Sequence, residues 1–258
     1  MKDEAVEYLI ICPLAFVAGF VDAIAGGGGL ISLPAFVLAG LPMHASLGTN
    51  KLSSSLGTLI ATIRYARAGY MVRAFVLVAV PCALAGSYAG SNAALLASDT
   101  ALKVVMLVAL PAMAAFVLRT KDLDSFARTA IPRRRALCIT AAIALGVGFY
   151  DGFYGPGTGT LLMLALTALA RQDVRTAAGT TKAINLSTNL AALAVFLVNG
   201  VVVLPLGLAA GAFNIAGNYL GAGAFSGKGS AIARPIMLVV MALFFCKVIA
   251  DLAGELCL

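Results

Sequence analysis

Two lysines occupy nearly the same motif in the two halves of this chain. Gly48-Thr49-Asn50-Lys51 returns as Gly179-Thr180-Thr181-Lys182, 131 residues further on. Each lysine lies inside an apolar segment, where a charge is costly and therefore indicates a functional site. Polar residues continue from each lysine at helical spacing: Ser55, Thr58 and Thr62 in the first half, Asn185 and Asn189 in the second. We interpret this polar face as a contact surface for a small anion; the alternative is that the lysines reach the membrane interface and the polar groups join helices.

Two glycine-rich loops precede the lysines at matching positions. Gly26-Gly27-Gly28-Gly29 corresponds to Gly155-Pro156-Gly157-Thr158-Gly159, at an offset of 129 residues. Glycine lets backbone N–H groups approach a ligand, and a helix that begins there directs the positive end of its dipole at that ligand. This arrangement suits an anion. The alternative is a tight helical hairpin that needs glycine only for close packing.

Asp22 and Asp151 are the only acidic residues near the glycine loops, and they are repeat-related. Three roles are open to them: proton coupling, capping of the helix that follows the loop, or pairing with Lys51 and Lys182. His44, the one histidine, has no partner at metal-ligand spacing and is interpreted as a loop residue.

Composition identifies the environment of the chain as a lipid bilayer. Hydrophobic residues make up 61% of the 258 residues, charged residues only 11%, and the mean hydropathy is +1.00. A soluble domain carries about twice that charge. The net charge of +7 comes from basic residues in short connections between apolar runs, which excludes nucleic acid as the expected partner. The chain is predicted to be an all-α polytopic membrane protein.

Enzymatic function is not indicated. The sequence contains no GxSxG or HExxH motif and no cluster of His, Cys and carboxylate residues. The five cysteines are scattered without CxxC spacing, and we interpret them as small packing residues, not disulfides or metal ligands. We expect no cofactor and no metal.

Each half contains five apolar segments, and the second of each is short. They lie near 6–22, 30–42, 45–63, 73–92 and 101–118, and near 136–151, 159–170, 177–199, 201–224 and 232–252. A short segment of about 12 residues reaches roughly 18 Å, against a hydrocarbon core of about 30 Å. If all ten segments change sides, 14 basic residues lie inside and 4 outside, the distribution that the positive-inside rule favours. Because five is an odd number, the second half then enters the membrane from the opposite side.

The predicted organisation is therefore two inverted-topology repeats, 1–118 and 136–258, joined by a basic cytoplasmic linker, 119–135. Both termini are predicted to face the periplasm. The first apolar run ends in Asp22, whose counterpart lies in the middle of the chain, so this run belongs to the fold and is not expected to be a cleaved signal peptide.

The motifs together resemble a known family. The run from Gly19 to Pro34 followed by Thr49-Asn50-Lys51, and the run from Asp151 to Gly159 followed by Thr181-Lys182 and Asn185, are similar to the two half-signatures of the TauE/SafE sulfite exporter family. The resemblance covers almost the whole chain. It implies a permease of the bacterial inner membrane that carries sulfite or other sulfur-containing or organic anions, although substrate does not transfer with fold.

The sequence thus predicts a secondary transporter for a small anion, with a site between the repeats. Alternatives are an anion channel-like conduit, a cysteine-based sulfur relay, or a membrane scaffold. Expected partners are the anion and the bilayer, with a second copy of the chain as a further candidate. The predicted substrate contacts are Gly26, Gly27, Gly28, Thr49, Asn50, Lys51, Gly155, Gly157, Thr158, Thr180, Thr181, Lys182 and Asn185.

Overall fold

In the computed structural model, every regular element within the described residues is an α-helix. The structure describes residues 2–119 and 131–224, so the predicted tenth segment and most of the linker lie outside the described residues. The helices within those ranges are α1 Lys2–Ala25, α2 Gly29–Leu38, α3 Met43–Arg67, α4 Arg73–Leu96, α5 Asp99–Arg119, α6 Arg133–Phe153, α7 Thr158–Ala168, α8 Val174–Val198 and α9 Leu204–Ala224. The predicted all-α class is confirmed.

In the part of the chain that the structure describes, four helices are long and apolar enough to cross a membrane. These spans are Val6–Ile24, Arg73–Leu96, Arg133–Phe153 and Val174–Val198. Helix α3 is 25 residues long but carries a dense set of Ser, Thr and Asn residues on its buried side, which lowers its hydropathy. A multi-pass membrane protein is the architecture that these lengths support.

Helices α2 and α7 are the short segments expected after the glycine loops. They contain 10 and 11 residues, so each spans only about half of a hydrocarbon core of about 30 Å. Leu30, Ile31 and Leu33 of α2 have no exposed surface, which shows that this half-helix is enclosed by the other helices. The loops before them contain left-handed glycines, among them Gly26 at φ +70° and Gly155 at φ +100°.

The two repeats pack against each other through helix pairs that contain one helix from each repeat. Helix α4 packs on α6, and its repeat counterpart α9 packs on α1. A Cβ atom on Gly86 would lie 2.2 Å from the carbonyl oxygen of Leu145, and one on Gly217 would lie 2.0 Å from that of Phe16. These are repeat-related positions making repeat-related contacts, as a two-fold relation between the repeats requires. The inverted orientation in the membrane stays a prediction.

We expect Gly86→Ala to destabilise the protein, because its methyl group must separate two backbones that touch. Such overpacking costs about 1–3 kcal/mol. The matched control is Gly146→Ala in α6, where no atom lies within 4 Å of the added Cβ and the helix gains up to about 1 kcal/mol. Thermal unfolding in detergent measures both variants. Equal melting temperatures for the two variants would contradict this description of the α4–α6 contact.

The interpretation of His44 as a loop residue is wrong. It lies in the first turn of α3, with Nδ1 2.5 Å from Oδ1 of Asp99 at the start of α5, and Nε2 3.1 Å from the carbonyl oxygen of Ala94. Oδ2 of Asp99 accepts a hydrogen bond from the backbone N–H of Met43 at 3.3 Å. Asp99 therefore satisfies an N-terminal donor of α3 from another helix, a contact between distant residues that local sequence does not reveal.

Candidate functional site

The two glycine loops meet at the centre of the molecule. A Cβ on Gly26 would lie 2.5 Å from the carbonyl carbon of Gly159, and one on Gly159 would lie 2.4 Å from the carbonyl oxygen of Gly26. Only residues without side chains permit this backbone approach. Because α2 and α7 start beside this contact, the N-terminal ends of both half-helices lie close to one another, as the sequence predicts.

Lys51 of α3 forms a buried ion pair with Asp151 of α6. Its Nζ lies 2.8 Å from Oδ2 of Asp151 and 3.1 Å from Oδ1 of Asn189, and both charged side chains are 3% exposed. The other carboxylate oxygen, Oδ1, lies 2.7 Å from the Thr158 hydroxyl, whose one proton is shared with the carbonyl oxygen of Gly155 at 2.6 Å. A lysine of the first repeat is thus paired with an aspartate of the second.

Lys182 of α8 pairs with Asp22 of α1 in the reciprocal way. Its Nζ lies 2.8 Å from Oδ2 and 2.6 Å from the backbone carbonyl oxygen of Asp22. The lysine side chain is 4% exposed and the aspartate side chain 13%. Of the three roles that the sequence left open for the aspartates, pairing with the lysines is present in both repeats, and each pair joins one repeat to the other.

A polar cavity of about 30 Å³ lies between the half-helix starts and the ion pairs. Ten of the residues predicted for substrate contact or proton coupling line it: Asp22, Gly26, Gly28, Asn50, Lys51, Asp151, Gly155, Gly157, Thr158 and Asn185. Five do not: Gly27, Thr49, Thr180, Thr181 and Lys182. The structure therefore collects most of the predicted residues at one place.

The motif residues outside the cavity have local structural environments. The Thr49 hydroxyl accepts a hydrogen bond from the backbone N–H of Val203 at 3.0 Å, immediately before α9. Gly179 packs so closely on the loop before α4 that a Cβ would lie 2.2 Å from the carbonyl oxygen of Tyr70. The hydroxyls of Thr180 and Thr181 are buried and have no hydrogen-bond partner among the described residues. Part of each motif thus serves to pack the loop between neighbouring helices.

Several lining residues were not predicted as contacts. Thr58 and Asn189 had been recognised only as members of polar helix faces, and the remaining ones are Ala18, Gly29, Ser32, Ser54, Gly159 and Asn214. Asn214 lies in the otherwise apolar helix α9, and its Oδ1 accepts a hydrogen bond from Asn218 Nδ2 at 2.7 Å. A pair of asparagines four residues apart in an apolar helix was the available signal. Its repeat counterpart is Ala83, so comparison of the repeats concealed it.

The cavity wall is rich in hydrogen-bond donors. Lys51 has three N–H donors, and Asp151 and Asn189 accept two of them. The side chain of Asn185 makes no hydrogen bond to the described residues. The Asn50 side chain makes one, in which its oxygen accepts from the Ser54 hydroxyl at 3.5 Å, so its N–H groups have no partner among the described residues. These N–H groups, together with the two half-helix starts, form a surface that can receive the oxygens of an anion.

Helix α8, which carries Lys182 and two of the cavity asparagines, begins at a capped end outside the apolar region. The Asp173 side chain accepts hydrogen bonds from the backbone N–H groups of Arg175 and Thr176, each at 3.1 Å. Burial raises the pKa of Asp173, but hydrogen bonds from Thr176 and Arg175 outweigh it and lower the pKa below its ordinary value. The cap fixes where α8 starts and hence the depth of its polar face.

None of the cysteines in the described ranges lines the cavity. Cys12 is buried, Cys82 is half-buried and Cys138 is exposed, and all three are free thiols. Cys246 and Cys257 lie outside the described residues. Residues 2–119 and 131–224 also contain no group of three His, Cys, Asp or Glu side chains arranged to hold a metal ion.

We expect a variant with all five cysteines replaced by Ala or Ser to retain transport. The described thiols only fill volume, so the variant loses about 1 kcal/mol or less for each buried sulfur removed. Uptake or efflux in proteoliposomes measures activity, and thermal unfolding measures the stability cost. Abolished transport in a well-folded single-cysteine variant would instead support a sulfur relay.

Comparison with known proteins agrees with this architecture. The chain matches the family described as Sulfite exporter TauE/SafE over residues 11–248. It is 35% identical over 255 residues to "Probable membrane transporter protein ORF9" of a Sinorhizobium species, covering 97% of this chain and 96% of the relative. It is 32% identical over 243 residues to a "Probable membrane transporter protein" of Haemophilus influenzae, covering 94% of each chain.

A third relative, "Probable membrane transporter protein YfcA" of Escherichia coli K12, is 29% identical over 244 residues, covering 94% of this chain and 89% of the relative. No solved structure matches the chain. The family match extends over nearly the whole sequence, including both glycine loops and both lysine motifs. The chain therefore belongs to the TauE/SafE sulfite exporter family of membrane transporters.

Proposed function

We propose that this protein is a secondary transporter that carries a small sulfur-containing or organic anion across the bacterial inner membrane. One observation carries the proposal: the Lys51 ammonium lines a polar cavity where two half-helices begin, between the two repeats. Both half-helix dipoles favour negative charge at that place. Sites at the interface of structural repeats, near the membrane midplane, are typical of secondary transporters.

The cavity residues supply distinct contacts in this proposal. Lys51 donates its third N–H to the anion while Asp151 and Asn189 hold the ammonium in place. The amides of Asn50 and Asn185 donate further hydrogen bonds. Lys182 contributes through Asp22, since the lysine itself does not line the cavity. Thr49, Thr180 and Thr181, first predicted as direct contacts, do not line the cavity, and Thr49 serves the site by holding the chain before α9 against α3.

A carrier fits the cavity better than a channel-like conduit does. A volume of about 30 Å³ holds about two water molecules, which is less than a small oxyanion requires. An oxyanion of four or five heavy atoms requires the cavity to widen, which couples binding to a conformational change. Accelerated exchange of labelled anion by unlabelled anion on the opposite side distinguishes a carrier from a conduit.

The orientation proposed from the basic residues places both termini in the periplasm. In that orientation Arg64 and Arg67, in the last turn of α3, and Arg133, at the start of α6, face the cytoplasm. An impermeant thiol reagent should label a cysteine at residue 3 in intact cells, but not one at residue 133. Labelling at both positions would contradict the ten-crossing topology.

A thermal-shift panel on purified protein tests the proposed function. Sulfite, sulfate, thiosulfate, sulfonates and carboxylates are compared with chloride at constant ionic strength. An anion that binds only the folded protein adds about 2.7 kcal/mol of stability at a concentration of about 100 Kd, which is a clear rise in melting temperature. If none of these anions stabilises the protein beyond chloride, the proposed anion site is wrong.

A further inference from the structure

The two lysine–aspartate pairs are repeat-related but chemically unequal. Both carboxylate oxygens of Asp151 lie near donors: Oδ2 accepts from Lys51, and Oδ1 lies 2.7 Å from the Thr158 hydroxyl, whose one proton is shared with the carbonyl oxygen of Gly155 at 2.6 Å. This side chain is 3% exposed. The Asp22 carboxylate has a donor only at Oδ2, and its other oxygen makes no hydrogen bond to any described residue. It is also more open, at 13% exposed, and it lines the cavity. Asp22 is therefore the cavity-lining aspartate that has one carboxylate oxygen without a hydrogen-bond donor among the described residues.

One difference between the repeats accounts for this inequality. Thr158, whose hydroxyl lies 2.7 Å from Asp151 Oδ1, occupies the position that corresponds to Gly29 in the first repeat. Glycine has no hydroxyl, so Asp22 lacks the second donor. The free oxygen of Asp22 can therefore accept a further hydrogen bond or a proton without displacing an existing donor.

The charges around the cavity sum to zero when both pairs are ionised. A bound monovalent anion would leave one uncompensated negative charge in a region with little access to water, which is strongly unfavourable. Protonation of Asp22 without an anion would leave the buried Lys182 ammonium without a counterion, which is also unfavourable. Only simultaneous binding of one proton and one monovalent anion keeps the site neutral.

We propose that Asp22 takes up one proton from water for each monovalent anion that binds, so that proton and anion cross the membrane together. The proton bonds to a carboxylate oxygen of Asp22, the Lys182 ammonium keeps its charge and its bond to the Asp22 backbone carbonyl, and the anion replaces the lost carboxylate charge. Asp151 stays ionised and holds Lys51. This inference rests on the proposed anion transport and assigns its coupling ion.

Among residues 2–119 and 131–224, few other ionisable groups lie near Asp22. Lys182 reaches it from α8, and Tyr65 of α3 lies close enough to interact electrostatically, with its hydroxyl donating to the carbonyl oxygen of Ala23 at 2.8 Å. Lys51 and Asp151 face it across the cavity as a neutral pair. The cavity side chains contributed by α2 and α9, Ser32 and Asn214, are uncharged. Asp22 is thus the acid on this side of the cavity that has an acceptor oxygen without a donor among the described residues.

Proton uptake by the wild-type protein tests this without any mutation. Methanesulfonate and ethanesulfonate are monovalent, keep a constant charge between about pH 5.5 and about pH 8.5, and serve as probes. Each is added to weakly buffered protein containing a pH indicator, and binding is measured in parallel. We expect uptake of up to one proton per bound anion, and an affinity that falls by about tenfold per pH unit as pH rises. Anion binding with no proton uptake across this range would overturn the inference.

Two matched variants assign the proton to a residue. Asp22→Asn fixes a neutral side chain, so its affinity should no longer depend on pH and should exceed that of the wild type at the alkaline end. In proteoliposomes it should exchange anions but fail to respond to a pH gradient. Lys51→Gln combined with Asp151→Asn removes the other pair as a neutral unit, so it should bind more weakly at every pH yet keep the wild-type pH slope. An unchanged slope in Asp22→Asn, or a slope lost only in the double variant, would contradict the assignment to Asp22.

The outcomes separate this inference from the function on which it rests. If no anion in the panel binds to wild-type protein at any pH, the proposed transport function fails. If an anion binds without a proton, the function stands and the coupling through Asp22 fails. Should Asp22→Asn not fold, the wild-type proton uptake decides alone.

Discussion

Lys51→Gln lowers the free energy of unfolding by about 3–5 kcal/mol, the cost of removing one partner from a buried ion pair. In this variant the Asp151 carboxylate, which is 3% exposed, loses Lys51 as its counterion, and Thr158 is its remaining donor. It also removes the hydrogen bond to Asn189. The expected result is a much lower melting temperature in detergent, measured against Arg134→Gln, a change in the exposed first turn of α6 that leaves stability unchanged.

Removing both charges together should cost less than the two single changes combined. In Lys51→Gln combined with Asp151→Asn, no uncompensated charge remains, and the asparagine oxygen still accepts from Thr158. Coupling energies between contacting residues are about 0.5–3 kcal/mol, so the loss in the double variant should be smaller than the sum of the two single losses by an amount in that range. Strictly additive losses would show that the pair contributes nothing specific.

Gly26→Ala should be the most damaging of the glycine substitutions at the loop contact. Its backbone has φ +70°, a conformation that costs an alanine about 1–2 kcal/mol, and the new Cβ would lie 2.5 Å from Gly159. Because the obstacle is backbone, it cannot rotate away, and overpacking adds about 1–3 kcal/mol. Separating the two loops also moves the half-helix starts apart, so transport should be lost in any protein that still folds.

Gly69→Ala is a close control for that substitution. Gly69 has φ +76°, nearly the same backbone conformation, but no atom lies within 4 Å of the added Cβ. It should lose only the conformational cost of about 1–2 kcal/mol and keep transport. Thermal unfolding and a proteoliposome assay compare the two variants. Equal effects would show that the contact between Gly26 and Gly159 does not matter.

Much of the fold follows from local sequence. Apolar runs separated by glycine and basic residues predict membrane helices, and the glycine clusters predict that α2 and α7 begin within the apolar region. The repeat itself is visible in the spacing of the lysine motifs. Because α2 and α7 each begin directly after a glycine loop, the prediction that both half-helices face a common centre needed only the repeat and no knowledge of packing.

The sequence does not predict in the same way which aspartate pairs with which lysine. Lys51 and Asp151 are 100 residues apart, and nothing local distinguishes that pairing from one between Lys51 and Asp22. Two further contacts depend on how distant helices pack. Asp99 accepts a hydrogen bond from the first turn of α3, and Thr49 accepts one from the backbone N–H of Val203. The asymmetry between the two aspartates was visible as Thr158 opposite Gly29, but its meaning required the distance to the carboxylate.

Anion affinity of the folded double variant, Lys51→Gln with Asp151→Asn, tests the central claim most directly. This variant removes the ammonium from the cavity without leaving an unpaired charge, so a change in binding reflects the site and not unfolding. The account predicts that affinity falls by about 1.5–3 kcal/mol, or roughly ten- to a hundredfold, relative to wild type and to Arg134→Gln. Wild-type affinity in the double variant would contradict it, because the anion would then bind somewhere other than the cavity between the repeats.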